Sequence, residues 1–402
     1  MLYSYTAKDP KGVIIPGRRE APDKLTLARE LRGEGFTLIV AHEASGKTDF
    51  SSVNNLFVRV KLHEKVIFTR NLAAMLRAGI ALARGLSILE RQTNNFRLKK
   101  IIKSFLDDIN SGKSLSESMK KFPNIFSSLF VSMVRAGEES GGLPDSLEAI
   151  GAQLDKSYIM GRKIRGALMY PSIILIAIFV IGTLMLIYVV PTLTATFRDM
   201  DVPLPGSTKM IIFLSDLLIS HTLAFFILII AAVAGFIFLL RTARGKRAYD
   251  YFVLHLPIFG PIVKEVNAAR TTRTLSSLLS AGVPMQESLR ITNEVLQNTY
   301  YKEILSEAEV DVGKGLTMSS LFKARSDLYP VMVGEMMEVG EETGKLSEML
   351  KNIAYFYEDE VDATTKDLSA LIEPILMIII GSAVGFFAVA MISPTYTILN
   401  SV

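Results

Sequence analysis

The 402-residue sequence contains no cysteine. That absence excludes disulfides, thiolate zinc sites, iron–sulfur clusters and cysteine nucleophiles, and leaves the compartment open. Histidine is nearly as scarce. The four present, His42, His63, His221 and His255, are scattered along the chain. His63-Glu64 begins a zinc-protease pattern, but Ile67 stands where the second histidine belongs. A strong charge bias is missing too. A net charge of +4 and a pI near 9.0 fit loop orientation in a membrane better than nucleic-acid binding. The first twenty residues, MLYSYTAKDPKGVIIPGRRE, lack the apolar core of a signal peptide, so the N-terminus is expected in the cytoplasm.

A usable phosphate loop is also absent. At Gly46-Lys47-Thr48 the required first glycine is Ala41, and at Gly112-Lys113-Ser114 it is Asp107. At Gly344-Lys345 the next residue is Leu346 and the first glycine would be Val339. Backbone amides could not wrap a nucleotide phosphate at any of the three. No catalytic, cofactor-binding or metal-binding residue is assigned. The acidic run Glu358 to Asp362 has the hard oxygens a calcium ion takes, but a solvated helix face is the expected reading.

Apolar sequence is what the chain has in excess. Half its residues are hydrophobic and the mean hydropathy is +0.34. Three uncharged runs stand out: ALMYPSIILIAIFVIGTLMLIYVV from Ala167, TLAFFILIIAAVAGFIFLL from Thr222 and PILMIIIGSAVGFFAVAMI from Pro374. At ~1.5 Å per residue each crosses ~30 Å of hydrocarbon as a helix. Arg162, Lys163 and Arg165 precede the first run, and Arg241, Arg244, Lys246 and Arg247 follow the second. Between them, Pro191 to His221 holds only Arg198 and Lys209 against three aspartates. Positive flanks inside place that connection outside and send the third span out again. The acidic inner flank of the third span gives no direction by itself. No span buries a charge at mid-depth, as a transport pathway usually does, and Glu373 lies only at a span's start. Gly381 and Gly385 form a G-x-x-x-G suited to close packing of membrane helices.

The chain also repeats itself. "TRNLAAMLRAGIAL" from Thr69 matches "TRTLSSLLSAGVPM" from Thr272, and "VRAGEESGGLPDSL" from Val134 matches "MEVGEETGKLSEML" from Met337. Gly79 and Gly282, Gly137 and Gly340, Glu138 and Glu341, Gly141 and Gly344, and Pro171 and Pro374 share one offset of 203. "SGKSLSES" and "VGKGLTMS" pair at 201, implying a small deletion compensated nearby. Such self-similarity marks a duplicated unit. Each unit reads as antiparallel short helices, with Ile67, Leu72, Met75 and Leu76 on one apolar face and Gly79 and Gly282 as helix stops. Glu138 and Glu139 point to different faces, so they are no opposed catalytic pair. The motif reads as a helix end, a glycine turn and a new helix near Ser140 or Thr343, with one glutamate bonding turn amides.

The expected fold is mainly α: three transmembrane helices, two homologous cytoplasmic helical bundles and a small N-terminal α/β module capped at Asp23. The expected divisions are the module at 1–43, a linker at 44–55, a helical domain at 56–166 and a span at 167–190. A periplasmic connection at 191–218, a span at 219–240, a helical domain at 241–370, a span at 371–393 and a periplasmic tail at 394–402 follow.

"FTRNLAAMLRAGIAL", "SGKSLSESM", "GEESGGLPDSL", "LMYPSIILIAIFVIG", "VVPTLTATF", "VPLPGSTK" and "EPILMIIIGSAVG" together resemble the secretion F family. These are the inner-membrane platform proteins of type II secretion systems and type IV pilus machines. The resemblance implies a bacterial inner-membrane scaffold, not an enzyme. It implies a hexameric cytoplasmic ATPase, other inner-membrane assembly components and pilin or pseudopilin subunits as partners, with homo-oligomers and no nucleic acid. Exposed Arg97, Lys99 and Lys100 are expected on the ATPase-facing surface. Arg162 and Lys163 are expected to meet the acidic run of the second unit, or of another copy. The competing class is a transporter or signalling membrane protein.

Overall fold

The computed structural model describes residues 2–8, 14–43, 59–199, 205–257 and 259–399. The expected Asp9-to-Gly12 turn, the 44–55 linker and the Gly46-Lys47-Thr48 near-match lie outside them. Contacts divide the chain into two units, Met1–Val60 with Glu90–Ile101, and Lys61–Leu89 with Ile102–Val402.

The first unit opens with alternating "LYSYTAK", which forms β1 (Leu2–Lys8). It lies between β2 (Ile14–Glu20) and β3 (Thr37–Glu43) in an antiparallel sheet of order β2-β1-β3. Alternation turns Tyr3 and Ala7 inward against Leu27 and Leu31 of α1 (Lys24–Gly33). Asp23 caps α1 by accepting the Thr26 N–H at 2.6 Å, and Gly35 turns the chain out of it at φ 86°.

The duplicated unit is a succession of six helices, present twice. The first copy is α2 (Leu62–Arg77), α3 (Leu82–Gln92), α4 (Phe96–Asn110), α5 (Leu115–Lys120), α6 (Ser128–Ser140) and α7 (Leu143–Leu184). After α7 a π turn, Met185–Val189, continues into α8 (Val190–Asp199). Next come α9 (Gly206–Ser220), α10 (Thr222–Arg241) and α11 (Ala243–His255). The second copy is α12 (Phe259–Ser280), α13 (Met285–Val295), α14 (Thr299–Gly313), α15 (Met318–Ala324), α16 (Val331–Thr343) and α17 (Leu346–Leu399). The starts of α3 to α7 and of α13 to α17 differ by 203 throughout. The left-handed glycines Gly112 and Gly315, φ 84° and 88°, keep the same offset. The expected compensated deletion is therefore absent. Gly112 corresponds to Gly315 rather than Gly313, and "SGKSLSES" to "KGLTMSSL".

The cores correspond residue by residue but use different chemistry. Phe126 lies centrally in the first copy, 6.3 Å from the Phe68 ring and 5.5 Å from Phe105. Its counterpart Tyr329 contacts Phe322 at 4.6 Å and Tyr301 at 4.9 Å between ring centres. Thr271 replaces Phe68, and its hydroxyl lies 2.8 Å from the Tyr329 hydroxyl, so the added polar atom has a buried partner. Burial raises both Tyr301 and Tyr329 above the ordinary phenol range. On α2, Leu72 is buried but Ile67 is exposed, and Phe68 takes the inward position assigned to Ile67.

Three helical stretches are long and apolar enough to cross a membrane, within 143–196, 222–241 and 346–393. No residue of α10 is buried, and Leu228 is 67% exposed. Water would oppose that surface; hydrocarbon accommodates it. The first and third stretches are extensions of α7 and α17. The expected divisions after 166 and 370 therefore fall inside helices. Pro171 and Pro374 are likewise carried within α7 and α17. Pro191 brings no N–H, and in a regular α-helix its ring would press on the carbonyl four residues earlier. The π turn before it widens the helix, Val190 N–H bonds to the Met185 carbonyl, and Ser215 of α9 donates to the Leu186 carbonyl. The described part of the connection between the first two spans is thus helical, with α9 packing beside Val190, Ala390 and Met391.

Candidate functional site

The repeated Gly-Glu-x-Ser/Thr-Gly motif ends α6 and α16. Each glutamate reaches back to the short helix before it. Glu138 Oε1 accepts the Leu115 N–H at 2.6 Å and Oε2 the Ser116 N–H at 3.1 Å. Glu341 repeats this with Met318 at 2.7 Å and Ser319 at 3.2 Å, and the Ser319 hydroxyl also donates to it. The first N–H groups of a helix have no partner within it and carry partial positive charge. One carboxylate satisfies two of them, so the amides after Gly112-Lys113-Ser114 already hold an anion, and it belongs to the chain. Glu139 and Glu342 are exposed, as adjacent positions on a helix dictate.

The glycines have separate tasks. A Cβ on Gly137 would lie 2.5 Å from Ser146 Oγ, and one on Gly340 would lie 2.8 Å from the Leu346 Cα. The next helix passes that closely. Gly141 and Gly344 have φ 74° and 69°, the left-handed turn that ends α6 and α16. The new helices start at Leu143 and Leu346. Ser140 and Thr343 close the old helices instead of opening the new, and the Thr343 hydroxyl bonds back to the Val339 carbonyl.

Beyond the turn, α7 and α17 run side by side toward the membrane and share ion pairs. Arg273 of α12 grips Glu358 of α17 through Nε at 2.7 Å and Nη2 at 2.8 Å. Lys156 of α7 reaches the same carboxylate at 3.2 Å, and Arg273 lies 4.2 Å from the Tyr355 ring centre. Lys163 of α7 meets Asp362 at 2.7 Å, and Lys366 meets it at 3.1 Å. The hydrogen bond from Lys163, then that from Lys366, holds the Asp362 carboxyl below its ordinary value. Gln153 of α7 adds bonds to Thr274 and Ser277. Glu358 and Asp362 therefore face protein cations, not solvent as expected for the acidic run, and no metal-holding cluster occurs among the described residues.

The other singled-out residues are placed as follows. Gly79 and Gly282 adopt φ 81° and 83° at the ends of α2 and α12. Gly381 and Gly385 are exposed on α17, with nothing from the described chain within 4 Å of an added Cβ. Arg97, Lys99, Lys100 and Arg162 are exposed, whereas Lys163 is engaged within the chain. Sequence reading missed Arg70, Asp155 and Arg273. The repeat register could have flagged the positions, since Arg70 and Asp155 stand 203 residues before Arg273 and Glu358, but only the structure shows that each two pair, Arg70 with Asp155 at 2.7 Å.

The model of the type II secretion system protein F family matches residues 68–191 and again 271–394, the same displacement as the helices. The chain belongs to this family. It is 35% identical to the type IV pilus assembly protein PilC of Thermus thermophilus, over all of this chain and 98% of that one. It is 30% identical to PilC of Myxococcus xanthus, over 100% and 95%. It is 31% identical to the type II secretion system protein F of Xanthomonas campestris pv. campestris, over 100% and 99%. Protein F relatives thus carry both pilus and secretion names, and this member is a multi-pass inner-membrane protein of such a machine.

Proposed function

We propose that this protein is the platform that passes work from a cytoplasmic assembly ATPase to pilin-like subunits leaving the inner membrane. The observation that carries the reading is the unbroken α17. Its 54 residues span ~81 Å from the Gly344 turn through the bilayer, so a displacement at the bundle reaches the membrane without a joint. The α7 helix supports the same reading, and the ion-pair seam makes the two move together. Both bundles lie in the cytoplasm and α9 outside, as the flanking arginines and lysines direct. The platform spends no nucleotide of its own, acts as a homo-oligomer through the exposed Gly381 and Gly385 face, and meets the ATPase at Arg97, Lys99 and Lys100.

The test replaces Arg97, Lys99 and Lys100 with alanine together in the native host. Membrane insertion is expected to persist while filament assembly and ATPase co-purification are lost. Assembly at the unmodified level would remove the coupling reading from this surface.

A further inference from the structure

A cavity of about 790 Å³ opens where α7 and α10 meet α11 and α12. Its volume is that of a ligand site. Leu168 and Leu240, at the bundle-side ends of two membrane helices, form one part of its wall. Phe252, Phe259 and Val263 continue it as an apolar surface. Two cations line it, Arg270 and Lys246, both half-buried. Neither side chain has a hydrogen bond or ion pair to any described residue. That is unusual for a guanidinium, whose donors remain charged and need acceptors even when partly desolvated. The acid beside them, Asp250, already accepts the Thr299 N–H at 2.8 Å and the Thr299 hydroxyl at 3.0 Å. The duplication does not require the arginine either, because its counterpart in the first copy is Ile67.

We propose that this cavity binds one anionic phospholipid, its phosphate held by Arg270 and Lys246 and an acyl chain along Phe252, Phe259 and Val263. The chemistry is amphiphilic at one place: cations without acceptors, next to an apolar wall, at the depth where two apolar helices leave the bilayer. A soluble phosphate would leave the apolar wall wet; a zwitterionic lipid would bring a further cation to a site that already holds two. The assignment rests on the membrane spans and is independent of the ATPase-coupling role. Burial lowers the Arg270 affinity for its proton, the direction expected of a cation lacking a counter-charge.

The test is native mass spectrometry of the full chain released from nanodiscs of equal parts phosphatidylglycerol and phosphatidylcholine. One phosphatidylglycerol per chain is expected to be retained. Arg270→Gln should lower retention about tenfold, a loss of ~1.4 kcal/mol of binding. Val263→Trp, which fills the apolar part and leaves the arginine, should lower it likewise and carries the test if the arginine variant misfolds. Arg244→Gln, exposed on the same α11, should retain lipid as the unmodified chain does. Equal retention of phosphatidylcholine, undiminished retention in both cavity variants, equal loss in Arg244→Gln, or displacement by millimolar inorganic phosphate would each overturn the assignment.

Discussion

Arg273 and Glu358 form a two-bond ion pair at 2.7 and 2.8 Å, and Arg70 and Asp155 form its counterpart in the first copy at 2.7 Å. The pairs share a register and differ in surroundings. Arg273 and Glu358 side chains are 12% and 9% exposed, because α7 covers them; Arg70 and Asp155 are 55% and 30% exposed. Removing one partner of a buried pair strands the other charge, whereas an exposed ion is rehydrated. Arg273→Ala should therefore cost about 3 kcal/mol and Arg70→Ala below about 1 kcal/mol. Thermal unfolding followed by circular dichroism in detergent measures both, and equal costs would remove the distinction.

The carboxylate turns give a second expectation. Glu341→Ala leaves the Met318 and Ser319 amides without their charged acceptor, a loss of about 2 kcal/mol. Glu341→Gln should cost roughly half as much, since its amide keeps one acceptor oxygen and turns an NH2 toward the other N–H. Glu342→Ala, one residue along on the exposed side, should stay within about 0.5 kcal/mol of the unmodified chain. Chemical unfolding of the three variants checks the ranking.

The two glycines of each motif should fail differently. Gly340→Ala places a Cβ against Leu346 backbone and must push α17 aside. Gly344→Ala meets no atom but is held at φ 69°, a strain of about 1 kcal/mol. Gly340→Ala should therefore change the distance between spin labels on α16 and α17, and Gly344→Ala should lower stability with that distance kept.

Stability should respond to pH through two carboxyls of opposite sign. The folded Asp362 binds its proton less readily than the unfolded chain. Its ion pairs therefore stabilise above the unfolded aspartate value, and the contribution is lost as pH falls through the folded one. Glu265 has a buried oxygen without a hydrogen-bond partner, and burial followed by repulsion from Glu360 raises its pKa. It favours the fold below the unfolded glutamate value, and that advantage disappears as pH rises through the folded one. Asp362→Asn should thus lower, and Glu265→Gln raise, the melting temperature at neutral pH. Both differences should fade on acidification, read as melting temperature against pH.

Much of this was legible in the sequence because duplication repeats a residue where it repeats a task. The offset linking Glu138 to Glu341 and Gly141 to Gly344 marks both turns in the sequence alone. Three uncharged runs located the spans, because a bilayer demands length and apolarity alone. What the pattern hid lies in pairings between distant positions. Gly313 aligns by letter with Gly112, yet the φ of Gly315 shows which glycine makes the turn. Arg70 and Asp155 are 85 residues apart, and nothing local announces their meeting. The continuity of α17 was also obscured, since Pro374 and the change from acidic to apolar residues suggest a boundary where the backbone has none.

That continuity is the central claim, and the absence of native cysteine makes its test clean. Spin labels on Glu348→Cys and Ile378→Cys stand thirty residues apart along α17, ~45 Å in an unbroken helix. Pulsed electron-electron resonance on the reconstituted full chain should give one narrow distance near that value. A broad distribution, or a main distance well below it, would mean a joint between bundle and membrane and would contradict the account.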